Sequence, residues 1–225
     1  MDLQALRVSL LLAAATAACL LVIGLPLGYW LALTKSRLRA IIEPVVALPL
    51  VLPPTVLGFC VLIALGPRSP LGRALEDLIG GPVVFTFGGL LIASILYSLP
   101  FAVQPFAAAF SGVDVSLREA AACLGASRLR TFVEVILPLS GRGVLAGLIL
   151  SFAHTLGEFG VVLMVGGNLP GVTRTASIAI YDSVQALDYA AAFKTSAVLV
   201  GLSLAILALT SFLLGGLVIQ GGRRR

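Results

Sequence analysis

Four stretches of this chain run without a charged side chain for longer than a bilayer core is thick: Val8 to Thr34, Pro44 to Pro67, Leu78 to Val113 and Thr195 to Gly222. A helix rising about 1.5 Å per residue needs roughly 20 apolar residues to cross about 30 Å of hydrocarbon. A fifth interval, Gly143 to Gly167, is interrupted only by His154 and Glu158. Charged residues make up 11% of the chain, where a soluble domain carries about 25%. Mean hydropathy is +1.10, so the chain belongs in a membrane. The expected fold is an all-α membrane protein with about five spans, near 8–33, 44–66, 83–110, 143–166 and 195–219, in one membrane domain over 1–225.

Lys and Arg near span ends favour the cytoplasmic side. With five spans the termini lie on opposite sides. A cytoplasmic C-terminus puts Lys35, Arg37, Arg39, Arg118, Arg128, Arg130, Arg142 and Arg223 to Arg225 inside, and leaves Arg7, Arg68, Arg73, Arg174 and Lys194 outside. The N-terminus is therefore expected outside and the 114–140 connector inside. The net charge of +5 is then a topology signal that calls for bilayer lipid and for no nucleic acid. Ala13, Ala15 and Ala17 offer signal-peptidase patterns, but the apolar run continues to Leu33, so a retained span is expected. Cys19, Cys60 and Cys123 share no metal-ligand spacing, and His154 is the single histidine; neither a metal nor another cofactor is expected.

Local features qualify the spans. Gly24-Leu-Pro26-Leu-Gly28 suggests a kink or a close helix contact. Glu43-Pro44 suits a helix start, and Pro49, Pro53 and Pro54 imply a broken or bent second span, because proline removes a donor and clashes with the preceding turn. Leu71, Ala74, Leu75 and Leu78 fall at helical spacing in the 66–82 loop, as in a short helix lying at the membrane surface.

The polar connector DVSLREAAACLGASRLRTFVEVILPLS, Asp114 to Ser140, carries the strongest functional signal. Ala120, Ala121, Ala122, Gly125 and Ala126 give a helix with a small, smooth surface suited to a partner's groove. Glu119 is favourable near the helix's positive end, Gly125 ends or turns the helix, and Leu137-Pro138 marks re-entry into the membrane. Glu119-Ala120-Ala121, three residues, Gly125, nine residues and Val135-Ile136-Leu137-Pro138 resemble the EAA-x3-G-x9-I-x-LP signature of membrane subunits of bacterial ATP-binding cassette (ABC) importers. Val135 stands where that pattern has Ile. LPLVLPP from Leu48, GVDVSLREAA from Gly112, LGEFG from Leu156 and N-x-PG-x-TRT from Asn168 look like the molybdate permeases of that family, with sulfate and thiosulfate permeases sharing a looser version. The 225-residue length fits the molybdate branch better.

The resemblance implies a type I importer permease fold with a cytoplasmic coupling helix, in a bacterial cytoplasmic membrane. It implies a homodimer of this chain, two cytoplasmic ABC ATPases gripping the connector, and a periplasmic or extracellular molybdate-binding protein delivering the anion, with tungstate a second substrate. The coupling residues are then Glu119, Ala120, Ala121, Gly125, Ala126, Leu137 and Pro138. A P-loop needs Gly-Lys, yet the lysines are Lys35 and Lys194, neither preceded by glycine, so ATP hydrolysis falls to another subunit and this chain is no enzyme.

A dianion's path should use hydroxyls, backbone N–H groups and helix N-termini, which replace water and still let go. Thr55, Ser94, Ser98, Ser151 and Thr155 are candidates, with Pro53 and Pro54 at the broken span. Each hydroxyl has the alternative of bonding its own helix backbone. Glu158 would repel an anion, so with Phe159, Gly157 and Gly160 it is expected to build a gate. A secondary anion transporter is the rival from another class; it predicts inverted repeats and matched buried ionisable residues, and the sequence offers no clear instance of either.

Overall fold

Glycines on two different helices close onto one phenylalanine, and that contact organises the bundle. A computed structural model describes residues 2–215 as helices and connecting turns, with no strand among the described residues. The helices are α1 (Leu3–Leu33), α2 (Arg39–Ala47), α3 (Pro54–Leu65), α4 (Pro70–Ile79), α5 (Phe87–Ser111), α6 (Val115–Cys123), α7 (Arg128–Thr131), α8 (Leu137–Leu156), α9 (Gly160–Gly166), α10 (Ala176–Gln185) and α11 (Tyr189–Gly215). Phe106 of α5 is fully buried between α1 and α8. A Cβ on Gly24 or Gly28 of α1 would sit 3.1 or 2.9 Å from it, and one on Gly147 of α8 would sit 2.7 Å away. Lipid chains are as apolar as leucine, so helix association depends on such close backbone approach.

Leu20, Ala102, Phe110, Ile136 and Val144 extend this core toward the connector. A second cluster joins α3 and α9 with α5 through Leu57, Val61, Val161 and Val165; a Cβ on Gly58 would lie 2.8 Å from Met164 Cβ. A third links Leu12 of α1, Leu90 of α5, Val162 of α9 and Ile178 of α10.

Leu3–Leu33, Phe87–Ser111, Arg128–Leu156 and Tyr189–Ala208 are long and apolar enough to cross a membrane. The second expected span differs: Arg39–Leu50 and Pro54–Leu65 meet at 113°. The break falls where Pro53 and Pro54 interrupt the hydrogen-bond ladder, and a 3₁₀ turn at Leu48–Leu50 leads into it. Pro44 lies inside α2, which starts at Arg39, so Glu43-Pro44 does not open a helix. Glu43 instead pairs with Arg39 one turn earlier at 2.9 Å.

The fourth expected span also differs at both ends. Its helix begins at Arg128, within the stretch assigned to the connector, and stops at Leu156; α9 is a separate segment after Gly157-Glu158-Phe159. Between α7 and α8 lies one π-helical turn, Phe132–Ile136. Pro138 follows it in the first turn of α8, where its missing N–H is absorbed by the widened ladder. Leu137-Pro138 therefore follows a bulge within a continuous rod, with re-entry starting earlier. The expected fifth span begins sooner, at Tyr189, and its residues 216–219, with Arg223 to Arg225, lie outside the described residues.

Candidate functional site

The connector helix α6 is built by local chemistry. Asp114 caps it by accepting the Ser116 N–H at 2.8 Å. That hydrogen bond, with a smaller contribution from Arg118, holds the Asp114 carboxyl below the usual aspartate range. At the other end Gly125 has φ +78°, the Gly125 N–H donates to Ala122 O at 2.9 Å and the Ala126 N–H to Ala121 O at 3.0 Å. These are the paired bonds of a Schellman cap, which needs a left-handed residue at the position Gly125 holds. No residue of α6 is buried, and Leu124 just after it is 88% exposed. Glu119, Ala120 and Gly125 face solvent, while Ala121 and Ala126 are half-buried.

The root of the connector is stiff. The rings of Tyr29, Phe110 and Phe132 form an edge-to-face trio with centroids 4.7 to 6.2 Å apart, tying α1, α5 and the π turn together. From there α8 runs 20 residues, about 30 Å, to a break level with Ser94 and Ser98 in the interior of α5.

Glu158 sits in that break, between α8 and α9, with its side chain fully buried. Ser94 donates to Oε2 at 2.6 Å and Ser98 donates to Oε1 at 2.8 Å. The Ser98 oxygen also lies 2.9 Å from both Thr155 Oγ1 and His154 Nδ1. A hydroxyl has one proton to give, so with Glu158 taking it, Thr155 Oγ–H and His154 Nδ1–H must both donate to Ser98. Every hydroxyl in the cluster thus has a partner. His154 Nδ1 is 3.5 Å from Glu158 Oε1, and its ring stacks on Phe101 with centroids 3.9 Å apart. The carboxylate therefore pins the broken fourth span to α5 from inside the protein.

Beside the cluster lies a cavity of about 540 Å³ lined by Pro54, Thr55, Tyr97, His154, Glu158 and Phe159. It brings the second span's break against the fourth's: a Cβ on Gly160 would meet Pro54 Cβ at 3.0 Å. Gly157 has no such close neighbour, so the expected tight packing belongs to Gly160 alone. Phe159 precedes α9 and packs on Tyr181 at 5.1 Å. Pro53 stands just before α3, exposed.

Among the expected path hydroxyls, Thr55 lines the cavity, while Ser94, Ser98 and Thr155 are buried in the Glu158 network. Ser151 is a correction. Its hydroxyl donates to Gly147 O and Leu148 O at 2.9 and 3.0 Å, so it satisfies its own helix and offers nothing to a passing anion. His154, Tyr97 and Phe101 escaped the sequence reading. The i, i+4 spacings of His154 with Glu158 and of Ser94 with Ser98 were the available signal, since each puts two polar groups on one helix face.

The loop after α9 lies beyond this cluster and is tied to α10 and to the start of α1. Asn168 Nδ2 donates to Asp182 at 2.6 Å, Arg174 Nε donates to Asn168 Oδ1 at 2.6 Å, and the Arg174 guanidinium reaches Asp182 at 3.2 Å and Asp2 at 3.7 Å.

Spanning helices joined at one end by an exposed, firmly capped connector, with one span broken in the interior around a buried carboxylate, are the frame of a membrane permease of the importer class, the class the family match gives. The fold agrees with that of the MetNI methionine ABC transporter in its inward-facing conformations, with a TM-score of 0.76, 15% identity and coverage of 96% of this chain and 95% of that one. The chain belongs to the family of binding-protein-dependent transport system inner membrane components, whose pattern matches residues 24–223. It is 51% identical over 191 residues to the molybdenum transport system permease protein ModB of Azotobacter vinelandii, covering 85% of this chain and 84% of that one. Against ModB of Escherichia coli K12 the identity is 39% over 166 residues, 72% of each chain. It is therefore a multi-pass inner-membrane subunit of an ABC transporter, and ATP hydrolysis resides in a separate subunit.

Proposed function

We propose that this permease moves molybdate, and tungstate with it, into the cell. The observation that carries the substrate reading is the 51% identity over most of the chain to a molybdenum permease. Two copies of the chain pair around one pathway, two ATPases hold the α6 connectors from the cytoplasm, and a molybdate-binding protein docks outside, where the N-terminus lies. The exposed small-residue surface of α6 supports the ATPase contact, since Glu119, Ala120 and Ala122 are exposed on a firmly capped helix and are left free for a partner.

Movement of α6 is carried along α8 to the Glu158 break. Glu158 with Phe159 forms the gate, Pro53, Pro54 and Thr55 its opposing wall, and Thr155 the hinge-side anchor. A fixed negative charge repels a dianion, so the carboxylate works as a latch: opening must separate it from Ser94 and Ser98. The chain itself carries no cofactor or metal in this reading.

Uptake into vesicles holding the complete complex tests the proposal. Molybdate should enter only with ATP and binding protein both present, and tungstate should compete where sulfate at equal concentration does not. Sulfate winning that competition, or uptake without ATP, overturns it.

A further inference from the structure

Two cavities on the α1 face of the connector root adjoin one another, and neither belongs to the gate; Ala122 of α6 and Ala126 line the polar one together with the end of α1. One, of about 520 Å³, is an apolar groove lined by Leu21, Val22, Leu25, Pro26, Leu129 and Phe132. The other, also about 520 Å³, holds Arg118, Arg128, Thr34, Thr131 and Trp30. Tyr29 and Arg128 line both, so a single ligand can occupy the pair.

The groove follows α1 from Leu21 to Tyr29, about 12 Å at 1.5 Å per residue, which is the length of a substantial part of an acyl chain. Its walls are open at the surface of the chain: Val22 is 74% exposed and Leu129 73%. At its polar end the two arginines converge without an acidic partner within ion-pair distance among the described residues, although Asp114 one turn before Arg118 interacts with it at longer range. The Arg118 Nε is buried and has no hydrogen-bond partner. An apolar slot along a spanning helix that leads, near that helix's end, to two guanidiniums without an ion-pair partner among the described residues has the polarity of a phospholipid with a net negative headgroup.

We propose that this paired site binds one anionic phospholipid, with an acyl chain along α1 and the phosphodiester between Arg118 and Arg128, bracing the root of α6. The inference is independent of the transported ion.

The chain's single tryptophan, Trp30, lines the headgroup pocket and reports on it. The full chain is reconstituted in phosphatidylcholine vesicles carrying a minor fraction of dibrominated phosphatidylglycerol or dibrominated phosphatidylcholine, and Trp30 quenching is compared. Phosphatidylglycerol should be preferred, and R118Q with R128Q together should weaken that preference by roughly thirty-fold at most, about fivefold per charge removed. R118K with R128K should retain it, which separates charge from misfolding, and Val22→Phe should lower quenching by obstructing the groove. Equal quenching by both lipids, a preference that survives the double glutamine variant, or displacement of the brominated lipid by millimolar inorganic phosphate alone would overturn the assignment.

Discussion

Replacing Ser98 with alanine removes one oxygen and adds nothing, at a site that is 0% exposed. That oxygen supplies one of the two hydroxyl donors to Glu158 and is the acceptor for Thr155 and His154. A neutral interhelical hydrogen bond in a membrane protein contributes about 0.6 kcal/mol on average, whereas a bond to a charged group contributes roughly 1.5 to 3 kcal/mol. Thr155 can turn to its own helix carbonyl, and His154 can approach Glu158 directly from 3.5 Å, which recovers part of the loss. The expected net cost is roughly 2 kcal/mol, or more than tenfold in the folded-to-unfolded ratio. The comparison is Ser151→Ala, whose hydroxyl bonds only carbonyls of α8 already engaged in the helix; its cost should stay within about 0.5 kcal/mol. Reversible unfolding of both variants in mixed micelles of detergent and denaturant measures the difference. A loss near 0.6 kcal/mol for Ser98→Ala, or equal losses for the two serines, would refute the account of a charge-assisted latch.

Other positions make separate demands. Gly125→Ala meets no neighbouring atom but must hold φ +78°, at a cost of about 1 to 2 kcal/mol, so hydrogen exchange should speed up at the end of α6 and ATP-driven uptake should fall, with Gly125→Asn intermediate. Gly147→Ala would drive a Cβ to 2.7 Å from Phe106 and should cost about 1 to 3 kcal/mol in the same unfolding assay, while Gly201→Ala, with open space around it, should cost nothing. The Asp114 carboxyl is lowered on folding, so the capping contribution is complete above the ordinary aspartate range of about 3.9 and is lost as pH falls through the lower folded value. Exchange at the first α6 amides should therefore show no protection change from pH 7 to 5 once corrected for intrinsic rate, and Asp114→Asn should remove whatever acid dependence appears below that.

Reading the chain residue by residue goes furthest where the cause is local. The cap at Gly125 follows from a glycine after a run of alanines, and the 113° bend follows from three prolines within six residues. Pro44 misleads for an instructive reason: Arg39 and Glu43 form an exposed pair one turn apart, and the helix extends back over them to begin earlier than its proline suggests. Pro138 misleads likewise, because a π turn lets the rod pass through a residue that ordinarily marks a start.

The sequence by itself determined the solvent, the helical class and where the connector begins, because hydrocarbon thickness and backbone satisfaction act on contiguous residues. Which polar side chains meet was decided by tertiary structure. Ser151 and Ser98 are chemically identical and both lie in apolar helices, yet one turns back on its own backbone and the other faces a carboxylate 60 residues away. That choice depends on how α5 and α8 rotate against each other, and the rotation is set by Gly143 and Gly147 closing on Ala109 and Phe106, a contact across the chain that no local pattern specifies.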